Sequence, residues 1–208
     1  MAADIPPATA SGVDLRPNPT VLIVGSIAIA AISILSLPGA AAIASIVLGG
    51  LMIAGAEVDA RTCLLPNAVT VTAAVLGVLF AMVLDAFNPW GGAAVAMARA
   101  GGTALILALL RFGYGRLRAR EGLGFGDVKL AAAVGAWLPL QAIPLCFGLA
   151  SAAALVTVLW ARWRGQTVEA TMKIPFGAFL CPSLWLVFYA TTLIGLLDEP
   201  DIAALFGN

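Results

Sequence analysis

The 208-residue chain has no histidine, only three cysteines and two tyrosines, and 11% charged residues. Without histidine there is no Ser/His/Asp or Cys/His triad, no imidazole acid–base catalyst and no His-liganded zinc. Cys63, Cys146 and Cys181 lie too far apart in sequence for a CxxC pair, so no metal or redox dithiol is expected, and no cofactor. Eleven basic residues balance eleven acidic ones, so no net charge draws the chain to nucleic acid. Soluble domains carry about 25% charged residues, far more than are found here. What abounds is apolar: 62% of residues are hydrophobic and the mean hydropathy is +1.03. The chain reads as all-α, a polytopic membrane helix bundle, and any chemistry in it falls to carboxylates.

A bilayer core of about 30 Å needs about 20 mostly apolar residues per helical crossing. Runs that qualify cover 20–37, 40–58, 68–87, 93–112, 128–143, 144–161 and 176–197, and charges fall almost wholly between them. Arg99, inside the fourth run, is expected to snorkel to an interface. The stretch 128–161, punctuated by Pro139 and Pro144, reads as a helical hairpin with a short first arm. Seven spans result, or six if one arm of that hairpin is re-entrant. Bases concentrate in 111–129 (Arg111, Arg116, Arg118, Arg120, Lys129) and 162–173 (Arg162, Arg164, Lys173), with Arg61 after the second span. The alternate connections hold none. Positive charge marks the cytoplasmic side, so these loops are expected there. Residues 1–19, rich in Pro, Ala, Ser and Thr, read as a disordered cytoplasmic segment ahead of one membrane domain, 20–197, and a short acidic tail, 198–208. The rival is a cleaved signal peptide ending near Ala40–Ala42, which a lone Arg16 serves poorly as a basic n-region.

Eight of the eleven acids lie in tails, in loops or, like Asp85, at an outer helix end, and solvation explains them. Glu57, Asp59 and Asp127 remain, at the cytoplasmic ends of spans. An aspartate closing a helix faces the negative end of its dipole, at a cost of about 0.3–1 kcal/mol, so Asp59 needs a reason. An ion pair with Arg61 is the bland one. Glu57 points elsewhere on the helix and reads as an interfacial or supporting group. Asp127 ends Gly122-Leu123-Gly124-Phe125-Gly126-Asp127 and could simply N-cap the next helix. That explanation leaves the glycines over, which permit a bent entry and close backbone approach. Lys129 is either a snorkelling anchor or a charge held near Asp127. Two crossings separate Asp59 from Asp127, and an even number returns the chain to the same face. Two carboxylates brought together there cannot both ionise cheaply and share a proton. The ionised one can activate water while the protonated one polarises a peptide carbonyl. A small proton-coupled transporter is the alternative, but it expects acids near the bilayer midplane and matching half-repeats.

These residues resemble a known family. Asp59 followed by Leu64-Leu65-Pro66-Asn67 is similar to the first motif of type IV prepilin peptidases. Glu121-Gly122-Leu123-Gly124-Phe125-Gly126-Asp127-Val128-Lys129-Leu130 is similar to their second, the GxGD box. Gly135-Ala136-Trp137 and Ile174-Pro175-Phe176-Gly177 extend the likeness, which covers roughly 40–197. It implies a membrane aspartic endopeptidase that removes the short basic leader of prepilins or pseudopilins at the cytoplasmic face, with Asp59 and Asp127 as the catalytic pair. It further implies that Gly124 and Gly126 shape the loop, with Lys129 beside them, and that the partners are pilin-like substrates and membrane lipid. A GxGD intramembrane protease acting on other substrates is the nearer alternative. The large bifunctional members carry an insertion with two CxxC pairs after the first span, associated with N-methylation. Only Pro38 and Gly39 stand there in this chain, so it resembles the short, peptidase-only form. Asn67, where many relatives have Asp, and Pro66 read as structural, Asn67 as an N-cap.

Overall fold

The computed structural model describes residues 17–84, 87–118, 124–165 and 175–197. Nearly all of the expected N-terminal segment, the acidic tail, Asp85, Glu121, Gly122, Glu169 and Lys173 lie outside the described residues. The described residues form seven helices in order: α1 (Pro19–Ser36), α2 (Gly39–Thr62), α3 (Asn67–Leu84), α4 (Pro89–Arg118), α5 (Phe125–Trp137), α6 (Ile143–Trp163) and α7 (Phe176–Leu197). Among the described residues, all but α5 are long and apolar enough to cross a membrane, six candidate spans in a multi-pass membrane protein.

Local chemistry sets most of the ends. The Asn18 side chain accepts the Thr20 N–H at 3.0 Å and Pro19 opens α1, as a helix start requires. Leu37 and Pro38 are extended and break α1 from α2. Cys63 ends α2 in the left-handed region at φ 50°, with its N–H on the Asp59 carbonyl. Pro144 sits in the first turn of α6, where its missing N–H costs nothing.

Helix α5 is the short hairpin arm. Its 13 residues extend about 20 Å, less than the hydrocarbon thickness. It needs no lipid contact, because α3, α4 and α7 surround it. Leu130, Ala131, Ala133, Val134 and Ala136 are almost wholly buried, as befits a helix apolar on every side. Lipid offers no hydrophobic drive between helices, so close packing and hydrogen bonds hold the bundle. Trp137 Nε1 donates to the Ala73 carbonyl of α3 at 2.7 Å, and the buried Ser33 and Ser45 hydroxyls join α1 to α2 at 2.8 Å.

Gly135 marks the closest approach. A Cβ there would strike the Arg99 carbonyl of α4 and lie 2.7 Å from both the Arg99 carbonyl carbon and Thr103 Oγ1. Backbone cannot swing aside as a side-chain tip can. Gly135→Ala is therefore expected to cost about 1–3 kcal/mol by overpacking, read as a lowered unfolding midpoint in detergent. Gly148→Ala, with open space around it, should leave the midpoint unchanged; equal midpoints for the two variants would contradict this packing.

Helix α4 extends further than its apolar run at both ends. Arg99 lies ten residues inside it, about 15 Å from its start. Its Nε is buried with no hydrogen-bond partner among the described residues.

Candidate active site

Asp59 lies one turn inside the end of α2 and is 4% exposed. Its carboxylate does not pair with Arg61. Arg61 instead bonds Glu57, one turn before it, at 2.7 Å, and both belong to the surface of α2. Asp59 Oδ2 accepts the Ala178 N–H at 2.8 Å, across 119 residues of sequence. Ala178 stands in the first turn of α7, which brings no acid of its own. A buried carboxylate at the wrong end of one helix is thus held by the positive end of another. Gly177 makes this possible, since a Cβ there would lie 2.8 Å from Asp59 Oδ2.

Asp127, 8% exposed, is not the N-cap of α5. The helix begins two residues earlier, with Gly124 at the cap and Asp127 at N3. From there Asp127 Oδ2 accepts the Gly124 N–H at 3.2 Å, the returning half of a capping box. Burial, and then the nearby Asp59 carboxylate, push Asp127 up to about 6, against the opposing effects of the Gly124 N–H and the Arg111 guanidinium. Both acids thus lie around Leu65, where the end of α2 nears the starts of α5 and α7: a Cβ on Gly126, next to Asp127, would lie 3.0 Å from Leu65 Cβ, and one on Gly177, beside Asp59, 3.3 Å from Leu65 Cδ1.

Around them, Lys129 Nζ donates to Asn67 Oδ1 at 2.6 Å and stands 4.9 Å from the centre of the Phe125 ring. It ties α5 to the start of α3. Asn67 does not cap α3, whose first free N–H groups go to the Pro66 carbonyl. Beside Asp127, a groove of about 640 Å³ opens between α4 and α5. Its walls are Ala108, Phe112, Phe125 and Val128, with the Arg111 and Arg116 side chains among them. Among the described residues, no group of three or more Cys, Asp or Glu side chains is placed to hold a metal ion.

A sequence model of the type IV leader peptidase family matches residues 46–159, more than half of the chain and a stretch holding both aspartates. The chain belongs to this family. Among curated relatives, the prepilin leader peptidase/N-methyltransferase of Dickeya chrysanthemi is 39% identical over 147 residues, 70% of this chain and 50% of that protein. That of Pectobacterium carotovorum is 36% identical over 163 residues, 78% and 56% of the two chains. That of Burkholderia pseudomallei is 34% identical over 161 residues, 75% and 48%. The chain spans about half the length of the curated relatives it matches. No solved structure matches it significantly.

Within this leader-peptidase fold the two box glycines have distinct physical roles. Gly124 supplies the N–H that holds Asp127. Gly126 lets the α2–α3 link come close, since a Cβ on it would lie 3.0 Å from the Leu65 Cβ. Reasoning from sequence finds the two aspartates but not Gly177 or Ala178 as partners of Asp59. One signal was available: α7 opens with Pro175-Phe176-Gly177 and no acid, so its N-terminus lacks an anion.

Proposed function

We propose that this chain is an aspartic endopeptidase that removes the leader peptide of type IV prepilins or pseudopilins at the cytoplasmic face of the inner membrane. What supports this reading is that two buried acids from distant parts of the chain, Asp59 and Asp127, come to the same junction of α2, α5 and α7. Each has a backbone N–H on one oxygen, and the Asp59 carboxylate lies close enough to raise the proton affinity of Asp127.

The chemistry follows from their surroundings. Asp59, with the α7 N-terminus behind it, carries the negative charge and takes a proton from water. Asp127 carries the shared proton and donates it toward the carbonyl oxygen of the peptide to be cut. Water adds to the carbonyl carbon; on collapse of the tetrahedral adduct the C–N bond breaks, Asp59 gives its proton to the departing amine, and the hydroxyl formed on the carbonyl oxygen returns its proton to Asp127. The groove beside Asp127 suits an apolar segment next to the cut bond. Arg61, Arg111, Arg116 and Lys129 all stand at the site's end of the bundle, which supports a cytoplasmic placement. Of the two activities in the relatives' name, only leader removal is proposed here.

The test is direct: the purified chain is mixed with a full-length prepilin and the product's mass is read. Loss of the leader alone supports the reading, and an intact prepilin overturns it. The pH profile adds a second check. A carboxylate raised to about 6 keeps its proton below that pH and loses it above. The value of kcat/KM is expected to fall as pH rises through about 6, whereas a fall centred near 4, where ordinary carboxylates titrate, would contradict the shared proton.

A further inference from the structure

The helices that carry the two acids do not pack side by side: α2 lies mainly against α1 and α7, α5 against α3 and α4. They are joined through what lies between them: α3 and α7, which pack against both, and the link between α2 and α3. The link between α2 and α3 holds Leu65, and three helices are bare where its side chain lies. A Cβ on Gly126 of α5 would lie 3.0 Å from Leu65 Cβ, one on Gly177 of α7 would lie 3.3 Å from Leu65 Cδ1, and one on Gly55 of α2 would lie 3.6 Å from it. Each glycine adjoins a working group. Gly126 precedes Asp127, Gly177 precedes the Ala178 N–H that holds Asp59, and Gly55 lies one turn before Asp59 on the same face. Just beyond Leu65, the Asn67–Lys129 hydrogen bond pins the same link to α5.

We infer that Leu65 is a positioning residue, a spacer wedged between α2, α5 and α7 whose side chain fixes the separation of the two aspartates. It touches no reacting atom. Gly126 and Gly177 leave room for α5 and α7 to close onto this branched side chain, while Gly55, which faces Cys181 and Val69 more closely, lies within ordinary contact of it. A shorter residue leaves a gap at the centre of the junction, into which α5 and α7 can shift. Misplacement of reacting groups by about 1 Å can cost about 10²-fold in rate. For its effect on catalysis this inference rests on the peptidase reading; for the geometry it does not.

Two readouts separate the possibilities. Spin labels at the exposed positions Ala60 and Phe125, in a chain with Cys63→Ser, report the distance between the end of α2 and the start of α5 by pulsed electron resonance. Leu65→Ala should shift or visibly broaden that distribution, Leu65→Val should do so less, and Leu65→Met should leave it unchanged. With prepilin as substrate and unlabelled protein, Leu65→Ala should lower kcat about 30-fold or more with KM within about 2-fold, and Leu65→Met should restore kcat to within about 3-fold. A distance distribution unchanged in both Leu65→Ala and Leu65→Val overturns the inference, as does unimpaired kcat in Leu65→Ala. Should Leu65→Ala fail to fold, Leu65→Val decides by the same criteria. Wild-type protein that leaves prepilin intact would overturn the peptidase reading alone, because the labels still report what Leu65 does.

Discussion

Asn at position 127 is expected to abolish leader removal, lowering kcat by about 10²- to 10⁴-fold, the usual span for loss of a positioned acid or base. The substitution is nearly isosteric. Its amide oxygen can still accept the Gly124 N–H, so the start of α5 should stand and the unfolding midpoint should hold. Asp59→Asn should fail equally, although it can keep its bond to Ala178. The double variant should be little worse than either single one, because two groups that act on one proton are not additive. Gel separation of precursor from product checks all three. A single variant retaining more than about a tenth of wild-type activity would contradict the paired mechanism.

Gly177→Ala is expected to be nearly as damaging without touching either acid. The added methyl would lie 2.8 Å from Asp59 Oδ2, 3.0 Å from its Cγ and 3.3 Å from Leu65 Cδ1. The carboxylate must then leave the Ala178 N–H, and with it the place from which it faces Asp127. A fall in kcat/KM of about 10²-fold or more follows from that displacement. Helix stability alone would predict the opposite sign, since Ala is favoured over Gly within helices by about 1 kcal/mol. Gly195→Ala, in the same helix with nothing near it, should leave activity unchanged. Full activity in Gly177→Ala would show that the Asp59–Ala178 contact is dispensable.

The helices were legible because lipid demands long apolar runs, and α1 and α7 fall within a residue of those runs. Helix α4 is longer than its apolar run because its last turns carry Arg116 and Arg118: polarity marks where hydrocarbon ends, not where a helix does. Helix α5 was read too long for a related reason. Its apolar residues continue through Leu138 and Pro139 into the turn, and hydropathy cannot tell a buried turn from a helix. The two aspartates were legible by counting crossings. Their anchors were not, because the Ala178 N–H is a group every residue but proline carries, and only folding selects one. The Arg61 pairing could have been read correctly from spacing: Glu57 is four residues away and on its side of the helix, whereas Asp59 is two away and is not. Leu65 shows no signal of its own; its role emerges only where three glycines from separate helices converge on it.

The most direct test of the whole account asks whether positions 59 and 127 meet, and on which side of the membrane. With Cys63, Cys146 and Cys181 replaced by Ala, cysteines are placed at 59 and 127 in membrane vesicles of known orientation. The account predicts that a short bifunctional thiol reagent links the two α-helices within one chain, and that a membrane-impermeant reagent reaches both positions from the cytoplasmic side only. Labelling of the two positions from opposite sides, or no cross-link between them, would contradict it.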